Sequence, residues 1–199
     1  SRNEDDLLQY RYRGEGGINK VFLGVGYQLT NDLKIGFDAQ YNFGSITNTS
    51  IAFGYNNDGQ LLQFQSREVK RSDLSGFTLN FGLAFAKKIS QNLELMATAT
   101  HSPQANLNSE NQSQFATISI DSQGKEFVIT SSEVDLVALG LSDTSLSLPS
   151  KTSFGVGIGR PRKWFAGIDY TFLKSSDFAN RFVSIENATF KDASTLSIG

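Results

Sequence analysis

The sequence of 199 residues has no cysteine, one histidine, one methionine and three prolines. Without cysteine there are no disulfides, iron–sulfur clusters or thiol nucleophiles, and a single histidine argues against a histidine-based zinc site. No nucleophile–base pair, paired-carboxylate motif or phosphate loop is recognisable in the sequence. We therefore expect no enzymatic activity, no catalytic residue, no bound metal and no cofactor.

Two further deficits narrow the class of protein. The 18 Lys+Arg are balanced by 20 Asp+Glu, so the net charge of −2 provides no basic field for nucleic acid. No apolar run approaches the roughly 18 residues of a membrane-spanning helix, which excludes a helical membrane protein. With 39% hydrophobic residues and a mean hydropathy of −0.26, the composition alone is typical of one soluble domain.

The strongest positive signal is strict alternation of apolar and polar or small residues, which predicts β-strands with two different faces. Two long arms, Val21–Leu29 and Leu33–Phe43, flank a short turn at residues 30–32. The same unit recurs twice. Its second copy runs through Phe77–Ala86 and Leu93–Thr100, and its third through Phe154–Ile158 and Trp164–Phe172.

Long polar segments separate these hairpins, and no convincing helical period occurs. We interpret residues 45–75, 102–150 and 173–193 as long loops within a single domain of residues 1–199. Alternation resumes over Ser194–Gly199 and stops with no turn signal. We therefore expect the chain to be a portion of a longer barrel.

A soluble β-sandwich and a transmembrane barrel both produce such alternation. The arms match the roughly 9–11 residues of a tilted membrane-spanning strand, and the alternation of short turns with long loops is typical of outer-membrane barrels. The glycine-rich opposite face also suits a curved barrel wall better than a surface in water. We predict an all-β, antiparallel transmembrane β-barrel, present in part as about seven strands, with short periplasmic turns and long extracellular loops.

The two strand faces supply the candidate site residues. The apolar face is predicted to meet lipid at Leu23, Val25, Ile35, Phe37, Leu79, Phe81, Leu83, Val156 and Ile168. The opposite face is predicted to line a lumen at Asp38, Gln40, Asn42, Asn80 and Asp169.

Three stretches carry a family resemblance: residues 14–24 with the hairpin that continues to Gly44, the segment Pro161–Phe172, and Ser194–Gly199. They resemble outer-membrane proteins of Bacteroidetes related to the long-chain-fatty-acid transporter (FadL/TodX) family. The resemblance implies a barrel of about fourteen strands that carries hydrophobic molecules inward past an N-terminal plug.

Three functional hypotheses follow. The first is a protein of the bacterial outer membrane, in contact with its lipid, that takes up hydrophobic small molecules such as long-chain fatty acids. The alternative is an outer-membrane anchor or assembly subunit whose long loops bind a secreted or surface protein partner, because long loops often carry function. The third is a soluble β-sheet binding module.

Overall fold

The computed structural model describes residues 8–182 and 190–199, and about three quarters of these residues lie in β-strands. The strands are β1 (Leu8–Gln28), β2 (Leu33–Gly54), β3 (Gln65–Ser90), β4 (Leu93–Ser102), β5 (Ala105–Ile120), β6 (Glu126–Glu133), β7 (Asp143–Leu148), β8 (Lys151–Arg160), β9 (Trp164–Leu173) and β10 (Ala193–Ile198). One turn of 3₁₀-helix covers Ser175–Asp177. No helix in this part of the chain is long and apolar enough to cross a membrane.

Seven strands follow one another in the sheet order β1-β2-β3-β4-β8-β9-β10, while β5 pairs with β3, β6 and β7. The β8–β9 ladder is antiparallel and runs without a register shift from Lys151 opposite Leu173 to Arg160 opposite Trp164. The β4–β8 and β9–β10 ladders are antiparallel as well. The prediction of an all-β, antiparallel sheet is therefore confirmed.

The path of seven strands is open at both ends within the described residues, because β1 pairs only with β2 and β10 only with β9. A closed barrel is thus not formed by these residues, and the predicted barrel stays a prediction. The predicted short turns are confirmed. In the first hairpin the N–H of Leu29 donates to the carbonyl of Leu33, and in the third the N–H of Lys163 donates to the carbonyl of Arg160.

The chain contacts divide into two compact units, each with residues from several strands. Unit 1 contains Ser1–Ile18, Phe43–Leu74 and Ser109–Thr144. Unit 2 contains Asn19–Asn42, Ser75–Asn108 and Ser145–Gly199. Strands β1, β2, β3, β5 and β7 contribute residues to both units.

The structure differs from the predicted loops over residues 45–75 and 102–150, which are mostly strand. Strand β2 continues to Gly54, β3 begins at Gln65, and β5 fills Ala105–Ile120. The reason is visible in β5, where the buried alternate positions include Ser109, Asn111 and Ser113. Polar residues on the buried face hide the apolar alternation by which strands are recognised. In the predicted loop 173–193, residues 183–189 lie outside the described part of the chain.

Unit 1 has a conventional apolar core. Ile51 and Phe53 of β2 pack with Ala116 and Ile118 of β5, and Tyr55 and Ile120 lie against them. Two glycines allow β1 and β2 to approach closely in this unit. Gly16 has φ +110°, and a Cβ there would overlap the carbonyl oxygen of Ser45, while a Cβ on Gly44 would overlap that of Gly17. Any larger residue at these two positions would force the strands apart.

A buried polar cluster holds the segment after β6 in unit 1. The Asn111 Oδ1 accepts hydrogen bonds from the hydroxyls of Ser72 (2.6 Å) and Ser109 (2.7 Å). The Asn111 Nδ2 donates to the Leu141 carbonyl (2.9 Å) and the Thr144 hydroxyl (2.8 Å). The amide is therefore fully hydrogen-bonded, which offsets the cost of burying it.

The first prediction concerns this amide. We expect Asn111→Ala to lower the free energy of unfolding by about 1–3 kcal/mol, because the substitution leaves several buried polar groups without a partner. The measurement is denaturant unfolding of the purified protein. Asn108→Ala is the matched control, because Asn108 is exposed on the same strand and should have little effect. Equal losses for the two variants would contradict the assigned role of Asn111.

Candidate functional site

The nine residues predicted to face lipid are all exposed, although every one is a large apolar side chain. Leu23 is 77% exposed, Val25 67% and Val156 58%. Cross-strand aromatic pairs lie on the strands that carry this surface: the rings of Phe37 and Phe81 are 5.4 Å apart. We call the nine residues the apolar row. They lie in unit 2, and an exposed apolar surface of this size is unusual for a protein in water.

Four of the five predicted lumen residues are more buried than the apolar row, whereas Asp169 is exposed. Asn42 is only 6% exposed, and Asp38, Gln40 and Asn80 are half-buried. Unit 2 therefore exposes the nine apolar side chains of this row and buries several polar ones, although it also buries Leu107 and Leu146. Contact of the apolar row with lipid stays a prediction.

Four of the five predicted lumen residues take part in side-chain hydrogen bonds across β1, β2, β3 and β4. The carboxylate Oδ1 of Asp38 accepts from Gln40 Nε2 (2.7 Å) and Asn80 Nδ2 (2.9 Å). The Oδ1 of Asn80 in turn accepts from the Ser102 hydroxyl (2.5 Å). Asn42 donates to the Thr78 hydroxyl (3.0 Å). We call this set the Asp38 network.

Donors converge on the same network from β1 and β3. The Nζ of Lys20 donates to Gln40 Oε1 (2.8 Å), and the Thr78 hydroxyl reaches the same oxygen at 3.5 Å. The side-chain amides of Gln40 and Asn80 accept hydrogen bonds from these donors and from Ser102, and both donate to the Asp38 carboxylate. A cavity of about 700 Å³ borders the network and is also lined by Lys151 and Ser153. The arrangement can bind and orient polar groups.

The fifth predicted lumen residue, Asp169, lies apart from the network. Its carboxylate occupies the space that a Cβ on Gly155 would fill, and the Thr98 hydroxyl is close to the same point. The ring of Phe165 similarly covers Gly157 and Gly167. These glycines make room for the neighbouring side chains, which gives a packing reason for the glycine-rich face.

Three members of the Asp38 network were not predicted from the sequence: Lys20, Thr78 and Ser102. Thr78 could have been found, because it lies two residues before Asn80 and so shares its face of β3. Lys20 and Ser102 required the register between strands. Their partners lie 20 and 22 residues away in the chain.

One exposed carboxyl of unit 2 has a displaced pKa. The backbone N–H of Ser176 donates to Asp192 Oδ1 (3.0 Å) and is the main reason that the pKa of Asp192 lies below its ordinary value, with the Ser176 side chain and Lys174 acting in the same direction. A lowered pKa stabilises the fold above the unfolded-state pKa. That contribution is lost in acid as the carboxyl becomes protonated.

The comparisons with known proteins concern the whole chain. The family described as BamG matches residues 1–199. The chain belongs to the BamG family. No curated protein and no solved structure matches it.

Membership of the BamG family points to the outer membrane and the cell envelope. The match is consistent with the all-β structure of the described residues. In a membrane, the stability of this BamG-family chain would depend most on two features of unit 2, the apolar row and the Asp38 network.

The second prediction tests the Asp38 network of this BamG-family protein. We expect Asp38→Ala to lower the free energy of unfolding by about 1–3 kcal/mol, because the side-chain amides of Gln40 and Asn80 lose a charged acceptor. Asp169→Ala is the matched control, since it removes the other carboxylate of the same face and should cost less. Unfolding in detergent, followed by heat-dependent mobility on a gel, measures both variants. A larger loss for Asp169→Ala would contradict the importance of the network.

Proposed function

We propose that the chain is an outer-membrane protein that associates with the outer-membrane assembly machinery. The observation that carries the proposal is the BamG family match over residues 1–199. It supports the assembly alternative of the sequence analysis better than uptake of a hydrophobic molecule. In this proposal, unit 2 provides a membrane-spanning wall and unit 1 provides contacts to protein partners.

The exposure pattern of unit 2 supports the membrane role. Strands β4, β8 and β9 are each 10 residues long, within the range of about 9–11 residues that a tilted strand needs to cross a bilayer. The apolar row on the outside of such strands would meet lipid. The Asp38 network on the other face keeps polar groups away from lipid, where an unsatisfied polar group is costly.

The direction of the edge strands bears on how the barrel would close. Seven antiparallel strands leave β1 and β10 running in the same direction. An all-antiparallel barrel therefore needs an odd number of further strands between them, which gives the even total typical of bacterial outer-membrane barrels. Unpaired backbone groups at these edges would be unfavourable in lipid.

Uptake of hydrophobic molecules, which the resemblance to the FadL/TodX family implies, is the second hypothesis. An apolar groove of about 550 Å³ in unit 2 favours it, with Val25, Ile35, Phe37 and Phe154 among its lining residues. The same groove lies along the apolar row, so acyl chains of the bilayer would fill it equally well in the assembly proposal.

The third prediction tests the membrane role. We expect Leu83→Arg to cost about 2–4 kcal/mol if the residue lies near the bilayer midplane, because an arginine side chain is unfavourable in lipid. Thr100→Arg is the control, because Thr100 is exposed opposite Gly82 on the neighbouring strand. The free energy of unfolding is measured in lipid vesicles. Leu83 is already exposed, so a small change in the free energy of unfolding would indicate that this residue contacts water. That result would contradict the membrane role.

The fourth prediction tests the partner role. Val137 is 76% exposed and Leu139 60%, both in the segment after β6 of unit 1. We expect a photo-crosslinking amino acid at Val137 to capture a protein of the assembly machinery in intact cells, since exposed apolar residues favour protein contacts. The same amino acid at Leu23 is the control and should capture no such protein.

A functional assay then separates assembly from uptake. Depletion of the protein should lower the amount of other barrel proteins in the outer membrane while uptake of a labelled fatty acid stays unchanged. Loss of uptake with normal barrel insertion would instead support the second hypothesis.

A further inference from the structure

Unit 1 has a small, partly open cavity with an excess of positive charge. The cavity has a volume of about 210 Å³, and its charged and polar lining consists of Arg11, Arg13, Glu15, Thr49, Arg67 and Glu126. Three guanidinium groups therefore face two carboxylates. These residues come from β1, β2, β3 and β6, so the site depends on the folded sheet rather than on one local segment.

Arg67 is the innermost cation of this cavity. Its side chain is 21% exposed, and its Nη1 donates to Glu126 Oε2 at 3.1 Å. The Nε of the same guanidinium is buried, and no acceptor among the described residues bonds to it. A buried donor without a partner is costly, so the Arg67 guanidinium, which lines the cavity, is not fully satisfied by Glu126.

Arg11 is the second cation of the cavity, and its charge is not neutralised by an ion pair among the described residues. Its guanidinium lies over the ring of Phe53, 4.9 Å from the ring centroid, which fixes its position. Within the described ranges 8–182 and 190–199, no carboxylate forms an ion pair with Arg11. Arg13 is paired with Glu15 at the more exposed part of the lining. Arg13 and Arg67 are each paired with a carboxylate, so the net positive charge of the cavity resides with Arg11.

We propose that this cavity binds a phosphate group, with Arg11 and Arg67 as its principal ligands and the Thr49 hydroxyl as a further donor. Guanidinium groups donate hydrogen bonds in a planar fork that suits phosphate oxygens. Cations on several strands suit a tetrahedral group, whose oxygens point in several directions. The phosphate comes from inorganic phosphate or from a lipid headgroup. The site is independent of the proposed assembly role.

The experiment measures binding to the purified full chain in a zwitterionic detergent. Isothermal titration with inorganic phosphate is one arm. The other, after removal of the detergent, is flotation with vesicles that contain phosphatidic acid, compared with vesicles of phosphatidylcholine alone. We expect Arg67→Gln and Arg11→Gln each to weaken binding at least tenfold. Arg71→Gln is the matched control and should bind like the wild type, because Arg71 pairs with Asp73 and does not line this cavity.

The outcomes separate the sources and test the proposal. Binding of inorganic phosphate supports a free anion, and binding of phosphatidic acid vesicles alone supports a headgroup. If Arg67→Gln fails to fold by circular dichroism, Arg11→Gln decides, since Arg11 has no ion pair to lose within the described residues. No binding in either arm, equal weakening by Arg71→Gln, or acetate binding as tightly as phosphate would overturn the proposal.

Discussion

The backbone ladder between antiparallel strands is the interaction on which unit 2 depends. The apolar row, which lies on β1, β2, β3, β8 and β9, is exposed, so apolar burial between these side chains contributes little to holding neighbouring strands together. The ladders pair each strand with its neighbours over most of its length, as between Lys151 and Arg160. The Asp38 network then links four of these strands through side chains, which fixes their register as well as their pairing.

Unit 1 is stabilised in a different way. Its apolar residues Ile51, Phe53, Ala116 and Ile118 are buried together, as in a protein in water. The Asn111 amide adds a fully bonded polar centre that joins β3, β5 and the segment after β6. The two units therefore differ in one respect: unit 1 has this buried apolar cluster, whereas unit 2 exposes the nine side chains of the apolar row. The exposed row supports the proposed contact of unit 2 with lipid.

The BamG family match and the exposure pattern are independent observations that support the proposed outer-membrane role. The BamG match concerns the whole sequence and points to the cell envelope, while the exposure pattern concerns side chains and favours contact with lipid. Neither relies on a catalytic motif. The charged cavity of unit 1 is a separate feature of the tertiary structure. It brings together cations that are distant in sequence, such as Arg11 and Arg67.

Local features of the fold could be predicted from the sequence because they are encoded by neighbouring residues. Alternation in residues 21–43 predicts two strands and their turn, and it assigns Leu23 and Asp38 to opposite faces. The polar segments 45–75 and 102–150 misled the prediction, because their strands bury serine and asparagine, which are stabilised by partners elsewhere in the chain.

The sequence by itself determined the strand class, the short turns and the two faces of the hairpins, since these follow from the period of 2 along a strand. Only the tertiary structure decided which polar residues meet. Asp38 and Asn80 are 42 residues apart, and Arg67 and Glu126 are 59 apart. Such pairs are set by the register of ladders between distant strands, and alternation within a strand contains no information about its partner's register.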